Sequence, residues 1–307
     1  MRNIRILGMG SYLPKETVSF DNDIRYRITG DETQLHLAVS AIGEALKNSE
    51  LDIKDIDCIV SCSAVTIQPI PNMSSLIHEH IAQGLDIPCV DINTTCTSFI
   101  AALDIMSYMI DAGRYNKVLI VASDVPSLGL NKNQRESYEL FSDAAVAIVV
   151  AKDETSKVGV IYGLQKTWSE GAHQTQVAGG GTSLPPCKYS EENKEQYMFD
   201  MQGINVAKLA MKKLPQFLEE FYENVNEKVD YIIPHQASKL LDIILKKVGL
   251  KKGTYLNIVN DYGNMVSASV PFALKHAIDN NIIKRGDNVL LIGTAAGLHI
   301  NGLLIKY

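Results

Sequence analysis

No stretch of this 307-residue chain approaches the roughly eighteen consecutive apolar residues of a membrane-spanning helix. The opening "MRNIRILGMGSYLP" has no small-residue cleavage site of a secretory signal. Cysteine is sparse: five residues, an odd number at scattered positions with no CxxC pair, exclude a disulfide framework. The seven histidines are not grouped like metal ligands, so no metal is expected. Basic residues are not in excess: 29 Lys and Arg stand against 35 Asp and Glu, a net charge of -6. That balance argues against a general nucleic-acid or anionic-membrane binder. "GMGSYLP" lacks the complete GxGxxG and the acidic residue about twenty positions on that a dinucleotide-binding turn requires. These absences together leave a reduced, cytoplasmic, globular protein.

What is present is a chain that repeats itself. Continuous apolar runs at 57–65, 89–93, 117–124 and 145–151 read as strands covered on both faces. They alternate with helical patterns at 32–49, 74–85 and 96–113. The second half replays the order: a helix at 204–225, which Pro215 could kink or divide, strands at 229–238 and 255–260, a helix at 267–281 and a strand at 287–297. Such a duplication implies two copies of one βαβα-like unit in a layered α/β fold. The expected halves are residues 1–157 and 158–307, with a loop-rich excursion across 178–196 near the junction.

Four short segments carry residues capable of chemistry. In "DINTTCTSFIAALDIM", Cys96 lies where a strand gives way to a helix. Free N–H groups and the helix dipole there would lower a thiol pKa, although a cysteine taken alone reads first as a small core residue. Cys58 and Cys62 lie in an apolar strand and read as core. His235 in "PHQAS" emerges at the carboxyl end of the matching strand, where layered α/β folds place their crevices. In "NDYGNMVSAS" the repeat puts Asn264 near the place Cys96 holds, after a glycine suited to a tight turn. In "GTAAGLHING", Gly297 could aim its N–H at an oxyanion, or simply bend the chain between two strands. Lys239, Lys246, Lys247, Lys251 and Lys252 form a local basic patch on an acidic chain, suited to an acidic partner or merely a solvated helix face.

The four segments in this order, across a duplicated chain, resemble the thiolase superfamily, most closely β-ketoacyl-acyl-carrier-protein synthase III. "ILGMGSYLP", "LFSDAAVAIVV" and "FDMQG" agree with that family's pattern, and the resemblance runs from about residue 4 to the end. It implies a thiolase-like five-layer αβαβα fold of two pseudo-symmetric halves. It implies a catalytic triad of Cys96, His235 and Asn264, an oxyanion hole from the N–H groups of Cys96 and Gly297, and an acyl pocket shaped by Phe199 and Met201. The implied reaction is acyl transfer to Cys96, then decarboxylative Claisen condensation with a malonyl-type thioester. No separate cofactor is implied. The substrates are thioesters of coenzyme A or of phosphopantetheinyl acyl carrier protein, and the lysine patch would meet the carrier protein. A homodimer is implied, or a heterodimer with a homologous subunit. Two alternatives share the scaffold: acyl transfer without decarboxylation, and a non-catalytic subunit of a heterodimeric synthase.

The stretch 22–34, "NDIRYRITGDETQ", departs from the family's Trp–Ile and Arg-Thr-Gly-Ile segment, which holds the adenine and phosphate of coenzyme A. It has no Trp, and either Arg25 or Arg27 is left to replace the phosphate contact. The one Trp, Trp168, is far off in sequence, and His299 follows the C-terminal turn without an assigned role. This departure points to a specialised lipid or secondary-metabolite pathway fed by a carrier protein.

Overall fold

The computed structural model describes residues 1–21 and 23–307; Asn22, the first residue of the departing stretch, lies outside the described residues. The first half builds a five-stranded sheet in the order β1-β7-β6-β4-β5. Its strands are β1 (Ile4–Tyr12), β4 (Cys58–Ser61), β5 (Cys89–Asp91), β6 (Lys117–Asp124) and β7 (Ala144–Lys152). A hairpin of β2 (Glu16–Phe20) and β3 (Asp23–Arg27) stands beside it. The second half builds the sheet β11-β12-β13-β8 from β8 (Gly159–Thr167), β11 (Tyr231–Pro234), β12 (Asn288–Ala295) and β13 (His299–Lys306). Two short strands, β9 (Thr175–Gln176) and β10 (Asp200–Met201), pair in the excursion between them.

The layers follow from the apolar faces. Helices α1 (Gln34–Ser49) and α2 (Met73–Ile81) bury Leu37, Ile42, Met73 and Ile77 against the outer face of the first sheet. Helices α3 (Ser98–Asp111) and α8 (Ser269–Asp279) lie between the sheets, with Phe99, Leu103, Val270 and Leu274 in one central cluster fed by both. Helices α5 (Gly203–Glu223) and α6 (Leu241–Lys247) cover the far face of the second sheet through Phe217, Phe221 and Leu245. Two short helices, α4 (Arg135–Tyr138) and α7 (Val259–Tyr262), complete the set. This is the five-layer αβαβα arrangement. Sandwiching explains the continuous apolar strands: eight successive residues of β7, Ala144–Ala151, are buried.

Two expectations are corrected. Residues 255–260 do not form a strand; only Tyr255 bridges to Ile232. The buried Gln236 side chain takes the ladder's place. Its amide nitrogen donates to the Pro234 and Leu256 carbonyls at 2.8 and 3.2 Å, and its oxygen accepts from the Ile258 N–H at 2.9 Å. Pro215 does not divide its helix, because it sits on the exposed side of α5, where water can satisfy the carbonyl it leaves free.

Candidate active site

Cys96 sits in a tight turn, Thr95–Thr97, interposed between β5 and α3. The turn is strained and heavily tied. Thr95 has φ +54°, uncommon for a β-branched residue. The Thr95 N–H donates to Asn93 Oδ1 at 2.7 Å, and the Thr94 N–H donates to Ser98 Oγ at 2.9 Å. The Cys96 side chain is half-buried at this turn. Its own N–H and that of Ala296 are directed at the sulfur. Gly297, expected to supply the second donor, directly follows Ala296; its φ is +98°, and a Cβ there would lie 3.0 Å from the His299 ring.

The thiol departs from the low pKa expected at a helix start. Loss of water, followed by the nearby Asp124 charge, pushes Cys96 up to about 12, and the two N–H groups only partly compensate. The resting sulfur is a thiol. Asp124, at the end of β6, went unrecognised in the sequence. It is buried and accepts from the backbone N–H of Ala64, Val65 and Ser267 and from the Ser267 hydroxyl. Burial pushes its own pKa to about 6 against those hydrogen bonds. The one signal available was an acid closing the apolar run "KVLIVASD".

His235 leaves the end of β11, 3% exposed, with its N–H on the Ile292 carbonyl at 2.8 Å. Gly293 makes its approach possible, because a Cβ there would lie 2.9 Å from both the Cβ of His235 and the Cγ2 of Thr97. His235 and the residue after Cys96 thus pack on one glycine. Burial lowers the His235 pKa to about 4, so the ring is neutral near pH 7. Its Nε2 lies 3.2 Å from Asn264 Oδ1. That oxygen also accepts the Val266 N–H at 2.9 Å and the Ser269 hydroxyl at 3.3 Å, which makes Nε2 the proton-bearing nitrogen. The Asn264 amide nitrogen is left as a donor with no hydrogen-bond partner among the described residues.

Asn264 is held by the other half of the chain. Its N–H donates to the Leu140 carbonyl, and its carbonyl accepts the Ser142 N–H, both at 2.9 Å. Gly263 before it has φ +75°, and a Cβ there would meet Leu140 O at 2.6 Å and Arg25 Cδ at 2.7 Å. The turn after Asn264 faces the turn of Cys96. The repeat register is corrected at this point. Met265 N–H donates to Ser269 Oγ at 2.8 Å, as Thr94 does to Ser98, and Val266 has φ +54°, as Thr95 does. Asn264 is therefore the counterpart of Asn93, and Ser267 that of Cys96.

Phe199 and Met201 join an apolar cluster with Leu130, Leu140, Phe141, Val259 and Val266. The Phe199 and Phe141 rings meet edge-on at 5.0 Å, and Phe141 bridges to Asn264. Lys246, Lys247, Lys251 and Lys252 are exposed and unpaired among the described residues, beside exposed Ile243. Lys239 differs, since it pairs with Asp23. Arg25 is fully buried on the carbonyls of Ile24, Glu139 and Asn260, which removes it as a phosphate contact. Arg27 donates to the Tyr138 carbonyl and lies 4.2 Å over that ring. Trp168 packs in the outer cluster beneath α5. Among the described residues there is no helix long and apolar enough to cross a membrane and no grouping of side chains suited to a metal.

Comparison with known proteins agrees with this architecture. The family described as 3-oxoacyl-[acyl-carrier-protein (ACP)] synthase III matches residues 90–164, and the family of its C-terminal part matches residues 223–307. A β-ketoacyl-[acyl-carrier-protein] synthase III of Clostridium perfringens is 30% identical over 327 aligned positions, covering 100% of each chain. One from Natranaerobius thermophilus is 32% identical over 291 positions, covering 92% of this chain and 87% of the relative. The crystal structure of 3-oxoacyl-[acyl-carrier-protein] synthase III from Aquifex aeolicus VF5 superposes with a TM-score of 0.86 at 26% identity, covering 99% of this chain and 100% of that one. The duplicated five-layer fold, and a relative matched end to end, place the chain in the β-ketoacyl-acyl-carrier-protein synthase III family of acyl-transferring condensing enzymes.

Proposed function

We propose that Cys96 is the acyl acceptor and that His235 and Asn264 drive decarboxylation of a malonyl-type thioester. The Cys96 sulfur attacks the donor carbonyl, the N–H groups of Cys96 and Ala296 hold the oxyanion, and the donor's thiol leaves with the proton. The malonyl thioester then loses carbon dioxide, and charge moves onto its carbonyl oxygen. The free amide nitrogen of Asn264 would donate to that oxygen, and the neutral Nε2–H of His235 would join it by turning from Asn264 Oδ1, which keeps the Val266 N–H and the Ser269 hydroxyl. The resulting carbanion attacks the acyl-Cys96 carbonyl, the new carbon–carbon bond forms, and the Cys96 sulfur leaves. The observation that carries this reading is the neutral, hydrogen-bonded His235–Asn264 pair packed against the Cys96 turn.

The finer reading is a specialised lipid or secondary-metabolite synthase loaded from acyl carrier protein. Arg25 is locked inside the fold, Trp168 is committed to core packing, and four free lysines border the exposed Ile243, a surface suited to an acidic carrier. Phe199 and Met201 would line the acyl end of the site. The chain would act as a dimer, with a copy or a homologous subunit joining at the open edge of β5, where Val90 is exposed. The test supplies the same acyl group on coenzyme A and on carrier protein, then malonyl carrier protein. Faster loading from carrier protein, weakened by salt, with carbon dioxide and a β-ketoacyl product, is expected. Equal loading from both donors contradicts the donor assignment, and acyl transfer without carbon dioxide contradicts the condensation.

A further inference from the structure

Cys96 and its pseudo-symmetric counterpart allow a comparison within one molecule. The turns Asn93–Ser98 and Asn264–Ser269 share the asparagine bond to the N–H two residues on (2.7 and 2.9 Å), the φ of +54° and the serine that receives the N–H four residues back. The strands beneath correspond as well. Asp124 pairs with Ala144 and Ala295 with His299, so Val146, opposite Ala122, and Asn301, opposite Gly293, occupy the same rung. Under the turn after Asn264 the matching residues are Ala268 and Val146, both in the central apolar cluster. Under the turn of Cys96 they are Thr97 and Asn301. Asn301 Nδ2 donates to Thr97 Oγ1 at 3.0 Å and reaches Thr94 Oγ1 at 3.4 Å. The Thr97 hydroxyl in turn donates to the Thr94 carbonyl at 3.1 Å.

The backbone does not need this clamp, since the counterpart turn adopts the same geometry over an apolar pair. The clamp also carries a penalty. Asn301 is 2% exposed, and its Oδ1 has no partner among the described residues, a desolvated acceptor that valine would not leave behind. A penalty borne only at the turn holding the thiol points to the chemistry of that turn.

We propose that Asn301 is a positioning residue for Cys96. Through Thr97 and the Thr94 carbonyl it holds the turn from the opposite half, keeping the sulfur and the Cys96 N–H aligned with the N–H of Ala296. The inference rests on the reading of Cys96 as acyl acceptor.

The test is the double substitution Asn301→Val with Thr97→Ala in the full chain, which copies the pair the molecule already uses at its other turn and leaves the half-exposed Thr94 hydroxyl to water. Thr97→Ser, which keeps the hydroxyl, is the conservative control. Acyl loading is followed by intact mass, and Cys96 alkylation by iodoacetamide is followed against pH. The double variant is expected to keep its thermal midpoint, to load about ten-fold more slowly at saturating donor with little change in KM, and to show a displaced alkylation profile. Thr97→Ser, which keeps the hydroxyl and loses only the methyl packed on Gly293, should load faster than the double variant and keep the wild-type alkylation profile. Wild-type loading and an unchanged alkylation profile in the double variant overturn the inference, as does a loss of rate that only tracks lost folded protein. Failure of the wild-type chain itself to load Cys96 would instead overturn the reading of the site, and this inference with it.

Discussion

At the scale of single residues, the site works through neutral groups. His235 is held uncharged by burial, and Asn264 contributes an amide whose oxygen is already occupied, so both offer N–H donors without a competing charge. Asn264→Asp keeps the shape and reverses that logic. Its carboxylate would repel the enolate oxygen, so decarboxylative condensation should fall by about a hundred-fold or more while acyl loading of Cys96 persists. Parallel assays of acyl-enzyme mass and carbon dioxide release check this, and equal loss of both steps would contradict it. The triad candidates were legible because Cys96, His235 and Asn264 each end a strand-like run. The donor at Ala296 was not, because one residue decides which amide in "TAAG" faces the sulfur and composition does not encode that choice. Asp124 was hidden for a related reason: its partners Ala64, Val65 and Ser267 are backbone groups distant in sequence.

At the scale of elements, short connections rather than strands or helices aim the chemistry. Gly263 is the clearest case, because it combines a left-handed backbone with contact on three sides by Leu140, Arg25 and Ser142. Gly263→Ala should lower stability by about 2 kcal/mol or more and displace Asn264 from His235. A denaturation midpoint and a condensation assay on the folded variant check it, and an alanine variant with wild-type stability would contradict it. The long buried strands were readable from apolar runs, since burial on both faces leaves an unmistakable pattern. Residues 255–260 carry a similar run yet form no strand, because the side chain of Gln236, twenty residues from Leu256, intercepts the backbone groups that pairing would need. The expected Asn264–Cys96 correspondence was off by three residues. The paired hydrogen bonds of the two turns fix the register, with the helix segment that begins at 267 opposite the one that opens at Cys96.

At the scale of the whole molecule, the two halves meet over buried ionisable groups whose responses to pH oppose each other. His235 titrates at about 4 in the fold against 6.5 ordinarily, so the unfolded chain takes up its proton first, and stability is lost as pH falls from 6.5 toward 4. Asp124 titrates at about 6 against 3.8, so the fold keeps its proton longer, and stability is lost as pH rises across that interval. His235→Asn removes the first response alone. The stability difference between wild type and variant should be constant above pH 6.5 and shift in the variant's favour by on the order of 3 kcal/mol on going to pH 4. Urea titrations across that range measure it, and a pH-independent difference would contradict it. The duplication itself was visible in the order of elements. The packing that joins the halves was not, because Arg25, Asp124 and Asn301 each act on partners more than a hundred residues away.

The most direct measurement is intact-protein mass spectrometry of the chain after incubation with acyl thioesters, followed by peptide mapping and repeated with Cys96→Ala. One acyl group on Cys96, released on adding malonyl carrier protein and absent from the alanine variant, is the result the account predicts. An unmodified Cys96 with every donor, or an acyl group that persists in the alanine variant, would contradict it.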